Sequence, residues 1–189
     1  EVTGVQTCAL PISAAGMATL LWGAVWALFQ HDLKGLLAFS TISHLGLITL
    51  LFGLNSPLAA VAGVFHIINH ATFKAGLFMA AGIIDQQTGT RDMRRINGLW
   101  KYMPYTAVLA MVASAAMAGV PLLNGFLSKE MFFTETLQSD QLGALSWLLP
   151  LGATLGGVFS VAYSARFIHD VFFNGEPVNL PKFPPREPH

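Results

Sequence analysis

The strongest constraint in this sequence is its succession of apolar runs, each close to the twenty or so residues a helix needs to cross a bilayer's hydrocarbon core. Five spans can be laid out. The first covers residues 14–30, and a short polar link at 31–34 leads to the second, 35–54. Asn55-Ser56-Pro57 is a turn signal, and the third span follows at 58–84. A polar stretch, 85–103, precedes the fourth at 105–137, which is too long for one straight helix across a bilayer. That span contains Gly119-Val120-Pro121 and then Asn124-Gly125. Proline removes an intrahelical hydrogen bond and clashes with the preceding turn, so two half-helices around Pro121 are expected. A break of this kind survives at membrane depth only when buried in protein or facing water. The fifth span is 142–167, and a Pro-rich tail occupies 174–189. The fold class is therefore all-α, a polytopic transmembrane bundle of five spans with the fourth broken.

Composition agrees. Only 11% of the residues are charged and 53% are hydrophobic, whereas soluble domains carry about a quarter charged residues. Ten basic residues balance ten acidic ones, so no bulk field favours nucleic acid. The single cysteine, Cys8, excludes an internal disulfide and any multi-cysteine metal site. No nucleophile, carboxylate pair, metal-ligand set or cofactor motif accompanies the apolar runs, and a catalytic role has no support.

Residues 2–12, VTGVQTCALPI, have no charge, no period and a proline. They resemble the codon-by-codon translation of a sequencing-library adapter. Residues 1–13 are therefore expected to be non-native, leaving a transmembrane domain at 14–173 and the tail. With no initiator Met and an end inside the tail, the chain is expected to be a fragment of a longer protein.

Eight cations outside the spans fall on one side: Lys34, Arg91, Arg94, Arg95, Lys101, Arg166, Lys182 and Arg186. Positive residues mark the cytoplasmic side, so the tail is expected there. Two cations remain, Lys74 and Lys129, and both lie inside spans.

Lys74 belongs to FHIINHATFKAGLF, 65–78. At about 1.5 Å per residue the third span is roughly 40 Å long, and its middle is close to His70. His66, His70 and Lys74 are four apart, which keeps them on one helix face. A charge near the bilayer centre costs at least about 2.5–3.5 kcal/mol. Two readings stay open: polar groups hydrogen-bonded to neighbouring helices, or a proton relay. Histidine titrates near pH 6.5 and takes and releases a proton without a large uphill step. Lys129, in FLSKEMFF, is either an interfacial lysine neutralised by Glu130 or, if the helix breaks at Pro121, a group held inside the membrane. His44, in STISHLGL, is either a structural hydrogen-bond group or a relay member. His31 and His169 lie beside charged links, where a solvated role fits.

Three motifs in order, DLKGLLAFSTISHLG, FHIINHATFKAGLFMAAG and GVPLLNGFLSKEMFF, resemble the proton-translocating antiporter domain. It is shared by Mrp-type multisubunit sodium/proton antiporters and the large membrane subunits of respiratory NADH:quinone oxidoreductase. The loop IIDQQTGTRDMRRINGL and the ending YSARFIHDVFFNGEPVNLPK resemble the Mrp A subunit more closely. The resemblance implies the second of two inverted five-helix repeats, with its broken helix at Gly119, Pro121 and Gly125. It implies proton-transfer roles for His66, His70, Lys74 and Lys129, beside which His44 and Glu130 stand as candidates. It also implies a bacterial plasma membrane, partner subunits in a hetero-oligomeric antiporter, and protons and Na+ as transported ions. Two alternatives remain: a proton-pumping subunit of NADH:quinone oxidoreductase, in which quinone chemistry occurs elsewhere, and a non-conducting structural subunit.

Overall fold

In the computed structural model, residues 3–139, 143 and 146–184 are described, with side chains from Ala9 onward. Six α-helices form: α1 (Thr3–Phe29), α2 (Leu33–Gly53), α3 (Pro57–Thr88), α4 (Pro104–Ala118), α5 (Asn124–Gln138) and α6 (Leu148–Ile168). Among the described residues the only strand-like pairing is an isolated bridge between Asp32 and Asp92. Helices α1, α2, α3 and α6 are long and apolar enough to cross a membrane, and α4 is a shorter apolar helix. Helices α4 and α5 are the two halves of the expected fourth span.

The helix ends follow from local chemistry. Asp32 caps α2, its side chain accepting from Gly35 N at 2.7 Å, so the polar link is shorter than expected. Ser56 caps α3 and Pro57 occupies its first turn, where a missing N–H costs nothing. Helix α3 runs past residue 84 through Asp85 and the two glutamines, and Gly89 stops it in the left-handed conformation (φ 72°). Helix α1 extends N-terminally over Pro11 into the segment left out of the sequence-based fold. The expected start of the fifth span at Leu142, and most of the link before it, lie outside the described residues.

Consecutive helices α1, α2 and α3 pack side by side. Helix α6 closes the bundle against α1 and α4, and α3 touches both α4 and α5. Small residues bring α1 and α2 together: a β-carbon on Gly23 would lie 2.6 Å from Ser43 N. The close approach lets Ser43 Oγ donate to Leu20 O at 2.9 Å, as expected where small residues let membrane helices approach.

Two apolar clusters fill the interior. The first holds Leu33, Leu36, Leu37, Phe73, Leu77, Ile84 and Phe167, with Met93, Ile96 and Leu99 from the loop. That loop, polar in sequence, thus tucks three apolar side chains under the bundle. The second cluster holds Leu20, Leu47, Leu50, Ala62, Phe132 and Ala153. In each of α2, α3 and α6 a short polar segment separates the two. His44 lies between Leu37 and Leu47, His66 between Ala62 and Phe73, and Ser160 between Ala153 and Tyr163, whose ring belongs to the first cluster. The interior is therefore a polar layer between two apolar ones.

Charges collect at one end. Lys34 pairs with Asp85 at 2.7 Å, Arg91 with Asp32 at 3.4 Å and Arg166 with Asp170 at 3.2 Å. The tail straps across this end: Val178 N donates to Arg95 O at 3.0 Å, and Lys182 N to Thr88 O at 3.1 Å. His31 meets Arg166 at 3.2 Å, and His169 meets Asp170 at 3.1 Å, both exposed.

Candidate proton-transfer site

The break comes first, because it positions Lys129. Helix α4 ends where Gly119 turns left-handed (φ 88°), its N–H returning to Ala115 O and Ala116 O. Pro121 sits in the non-helical link, and Leu122 also takes positive φ (76°). The amide that would have bonded Ala118 O is thereby turned away, which leaves that carbonyl open. Lys129 Nζ donates to it at 3.0 Å and to Ser160 Oγ at 2.8 Å. The same link is pinned to α3, since Asn69 Nδ2 donates to Asn124 O at 3.1 Å and Asn124 Nδ2 to Asn69 Oδ1 at 3.2 Å. Gly125 lies against the backbone of Ala116, with no room for a β-carbon.

Lys74 is held in the same manner. Its ammonium donates to Leu37 O at 3.0 Å and to Ser40 Oγ, both on α2. Each lysine is buried, with 5% of Lys74 and 8% of Lys129 exposed. Each ammonium is held by one main-chain carbonyl and one serine hydroxyl.

The histidines connect across helices. His66 Nε2 meets His44 Nδ1 at 3.0 Å, and His66 Nδ1 meets Ser128 Oγ at 3.0 Å. His44 Nε2 meets Tyr163 Oη at 3.2 Å, and Tyr163 Oη donates to Ser160 Oγ at 3.3 Å. A continuous line therefore runs Ser128–His66–His44–Tyr163–Ser160–Lys129 and draws on α5, α3, α2 and α6. His70, one turn from Lys74, lies tilted against His44 with ring centroids 5.3 Å apart. Its Nε2 is buried and has no hydrogen-bond partner.

This differs from a line down one face of α3. The four-residue spacing does align His66, His70 and Lys74, but the hydrogen bonds of His66 and Lys74 go sideways to α2 and α5. His44, open between two readings in the sequence, is the hub. Glu130 does not join the site: it is exposed, because one step along a helix turns a side chain by about 100°. Sequence reasoning missed Tyr163, Ser160 and Ser128. Serines are ordinary in membrane helices, and only the pairing of α6 with α2 reveals the tyrosine.

The arrangement can carry protons. Each histidine of the line gives one hydrogen bond and takes another, in either of two polarities. In one, Ser128 donates to His66, His66 to His44, His44 to Tyr163 and Tyr163 to Ser160. In the other, Tyr163 donates to His44, His44 to His66, and His66 to Ser128, which itself donates to Gly125 O at 3.1 Å. Each neutral imidazole needs only one N–H in either.

Known proteins share both sequence and fold. A family model described as the transmembrane region of NADH:quinone oxidoreductase and Mrp antiporters matches residues 5–155. The chain is 65% identical over 177 residues to the A/B subunit of a probable K(+)/H(+) antiporter of Rhizobium meliloti, covering 94% of this chain and 18% of that protein. It is 44% identical over 188 residues to the A subunit of the Na(+)/H(+) antiporter of Bacillus subtilis, covering 90% of this chain and 24% of that one. This chain thus spans about a fifth to a quarter of these relatives. The Mrp complex of Dietzia sp. DQ12-45-1b superposes with a TM-score of 0.80 at 44% identity, over 85% of this chain and 18% of that one. Respiratory complex I of Thermus thermophilus superposes with 0.84 at 26% identity, over 95% and 37%. On the family match and these identities, the chain belongs to the NADH:quinone oxidoreductase/Mrp antiporter transmembrane family.

Proposed function

We propose that this chain carries half of the proton pathway of an Mrp-type antiporter A subunit. Protons move through its intramembrane histidines and lysines, and their flow drives export of a monovalent cation through the assembled complex. One observation carries the reading: the unbroken hydrogen-bonded line from Ser128 to Lys129, buried between two apolar clusters. A purely structural polar group needs its own partner satisfied; it does not need its partners joined across four helices.

His70 lies between that line and Lys74 along α3, and its orphaned Nε2 suits a bridging water, the usual partner of a buried polar atom. Partners are the other subunits of a hetero-oligomeric membrane complex. The cation is Na+ by the name of the Bacillus relative and K+ by that of the Rhizobium one. The redox-pump reading is less favoured, since identity to the complex I chain is 26% against 44–65% for antiporter subunits. The location is a bacterial plasma membrane, with the charged end and tail cytoplasmic. Residues 1–13 are read as non-native, which sequencing the genomic locus across codon 14 tests.

Lys74→Ala and Lys129→Ala, made singly in the full-length protein, test the relay. Both are expected to lose growth tolerance to NaCl or KCl at alkaline pH and to lose proton flux in membrane vesicles, with the complex still assembled. Wild-type flux in both variants overturns the proposal and leaves a structural role.

A further inference from the structure

The line reaches Lys129 only after crossing α6, through two hydroxyls that composition and spacing gave no reason to single out. We infer that Tyr163 is itself a proton carrier, passing protons between His44 and the Ser160–Lys129 pair. The inference rests on the proposed relay and adds a specific residue to it.

Three observations support it. First, Tyr163 Oη lies within hydrogen-bond reach of a group on either side, His44 Nε2 at 3.2 Å and Ser160 Oγ at 3.3 Å. Ser160 is in turn 2.8 Å from Lys129 Nζ. Second, Tyr163 is fully buried and its ring belongs to the apolar cluster with Phe73 and Phe167. Packing there asks only for a phenyl ring, and the hydroxyl is the part that packing does not explain. Third, the space for a detour is small. The cavity lined by Ser43, His44, Lys129, Ser160 and Tyr163 has a volume of about 10 Å³, at the lower limit for a single water.

The transfer balances without any co-reactant. An N–H bond of the Lys129 ammonium breaks as an O–H bond forms on Ser160. The original Ser160 proton moves to Tyr163 Oη, and the original Tyr163 proton moves to His44 Nε2. Lys129 ends neutral, His44 ends as imidazolium, and both hydroxyls remain neutral. Ser160 begins the step with its hydrogen toward Tyr163, not toward Met117 O, its other acceptor at 3.2 Å. Rotation of the two hydroxyls afterwards resets the line, and the reverse sequence returns the proton.

The test uses the full-length protein in its assembled complex, with proton flux followed by a pH-sensitive dye in inverted membrane vesicles. Tyr163→Phe keeps the ring and removes the carrier. It is expected to lower flux by about 10²-fold, the usual scale for removing a proton-transferring group, at normal complex abundance. Ser160→Ala is expected to do the same, and Ser160→Thr, which restores a hydroxyl, to recover flux. A role for the serine in helix packing alone would not produce that recovery pattern. Wild-type flux in Tyr163→Phe, with flux lost in Lys129→Ala, overturns this inference alone and routes the proton past the phenol through water. Wild-type flux in Lys129→Ala as well overturns the relay reading and this inference with it. If Tyr163→Phe fails to assemble, the Ser160 pair decides: loss with Ala and recovery with Thr supports the carrier, and no loss with Ala overturns it.

Discussion

Lys74 and Lys129 occupy matching pockets with different exits. Each ammonium donates to one main-chain carbonyl and one serine hydroxyl, Leu37 O and Ser40 for Lys74, Ala118 O and Ser160 for Lys129. None of these four acceptors is a carboxylate. A buried pair of fixed opposite charges would strand one partner whenever the other lost its charge, at considerable cost. Neutral acceptors allow a lysine to discharge without that penalty. The carbonyls differ in origin, however. Ala118 O is free because the helix breaks after it, whereas Leu37 O lies inside the continuous α2 and also accepts from Ser40 and Thr41 at 2.9 and 2.8 Å. The serines differ too: Ser160 leads on to Tyr163 and His44, while Ser40 donates its own hydrogen back to Leu37 O. One pocket is hydrogen-bonded to the histidine line through Ser160 and Tyr163, and the other has no such link to it.

The largest expected effect tests whether the Lys129 pocket depends on the break. A β-carbon at Gly125 would collide with the Ala116 carbonyl, and backbone cannot swing aside as a side chain can. Gly125→Ala is therefore expected to push α5 off α4 and destabilise the protein by about 1–3 kcal/mol, the usual range for overpacking. Thermal unfolding of the purified complex measures it. Gly119 is constrained differently: a β-carbon there would meet the flexible Lys129 side chain, Cδ at 2.8 Å, but its left-handed φ of 88° strains any residue other than glycine. An unchanged melting point in Gly125→Ala would show that Lys129's pocket does not need so close an approach.

A smaller effect separates the two serines. Ser40→Ala removes one acceptor from Lys74 and leaves the Leu37 carbonyl. A hydrogen bond to a charged group contributes about 1.5–3 kcal/mol, so Lys74 is expected to be held less firmly and flux to fall by about tenfold. Because no line continues from Ser40, that loss is expected to stay below the loss in Ser160→Ala. Equal losses would mean that Ser40 also carries protons.

The two pockets also show what a sequence displays and what it hides. The spans were legible because apolar runs of that length admit few alternatives, and the break was legible because Gly119 and Pro121 interrupt one of them. Lys74, Lys129 and the histidines stood out because ionisable groups in hydrocarbon are costly. Their partners did not stand out. Ser40, Ser128 and Ser160 are unremarkable in apolar helices, and Tyr163 lies 119 residues from His44, the group it meets. Contacts of that kind are set by how helices lie against one another, which periodicity along one helix does not encode. Glu130 illustrates the converse, since adjacency in sequence to Lys129 suggested a pair that helical geometry separates.

The smallest expected effect lies at the charged end, where cations meet fixed carboxylates and the logic of the two lysine pockets should not apply. Arg94 grips Asp92 with both Nε and Nη2, at 3.0 and 2.9 Å, and its backbone N–H adds a third bond at 3.0 Å. The Arg94 side chain, chiefly through these hydrogen bonds, holds the Asp92 carboxyl below its ordinary value. A depressed carboxyl pKa stabilises the folded state at pH values above the ordinary carboxylate range, near 3.9. That contribution is lost as pH falls through the lowered folded-state value. Asp92→Asn is accordingly expected to lower the melting point only slightly at pH 7, because a pair this near the surface contributes little, and less again at high salt. The difference from wild type should vanish in acid, and proton flux should stay unchanged. A flux defect in Asp92→Asn would extend the proposed conducting line to the charged end and remove the distinction between hydrogen-bonded interior and paired rim.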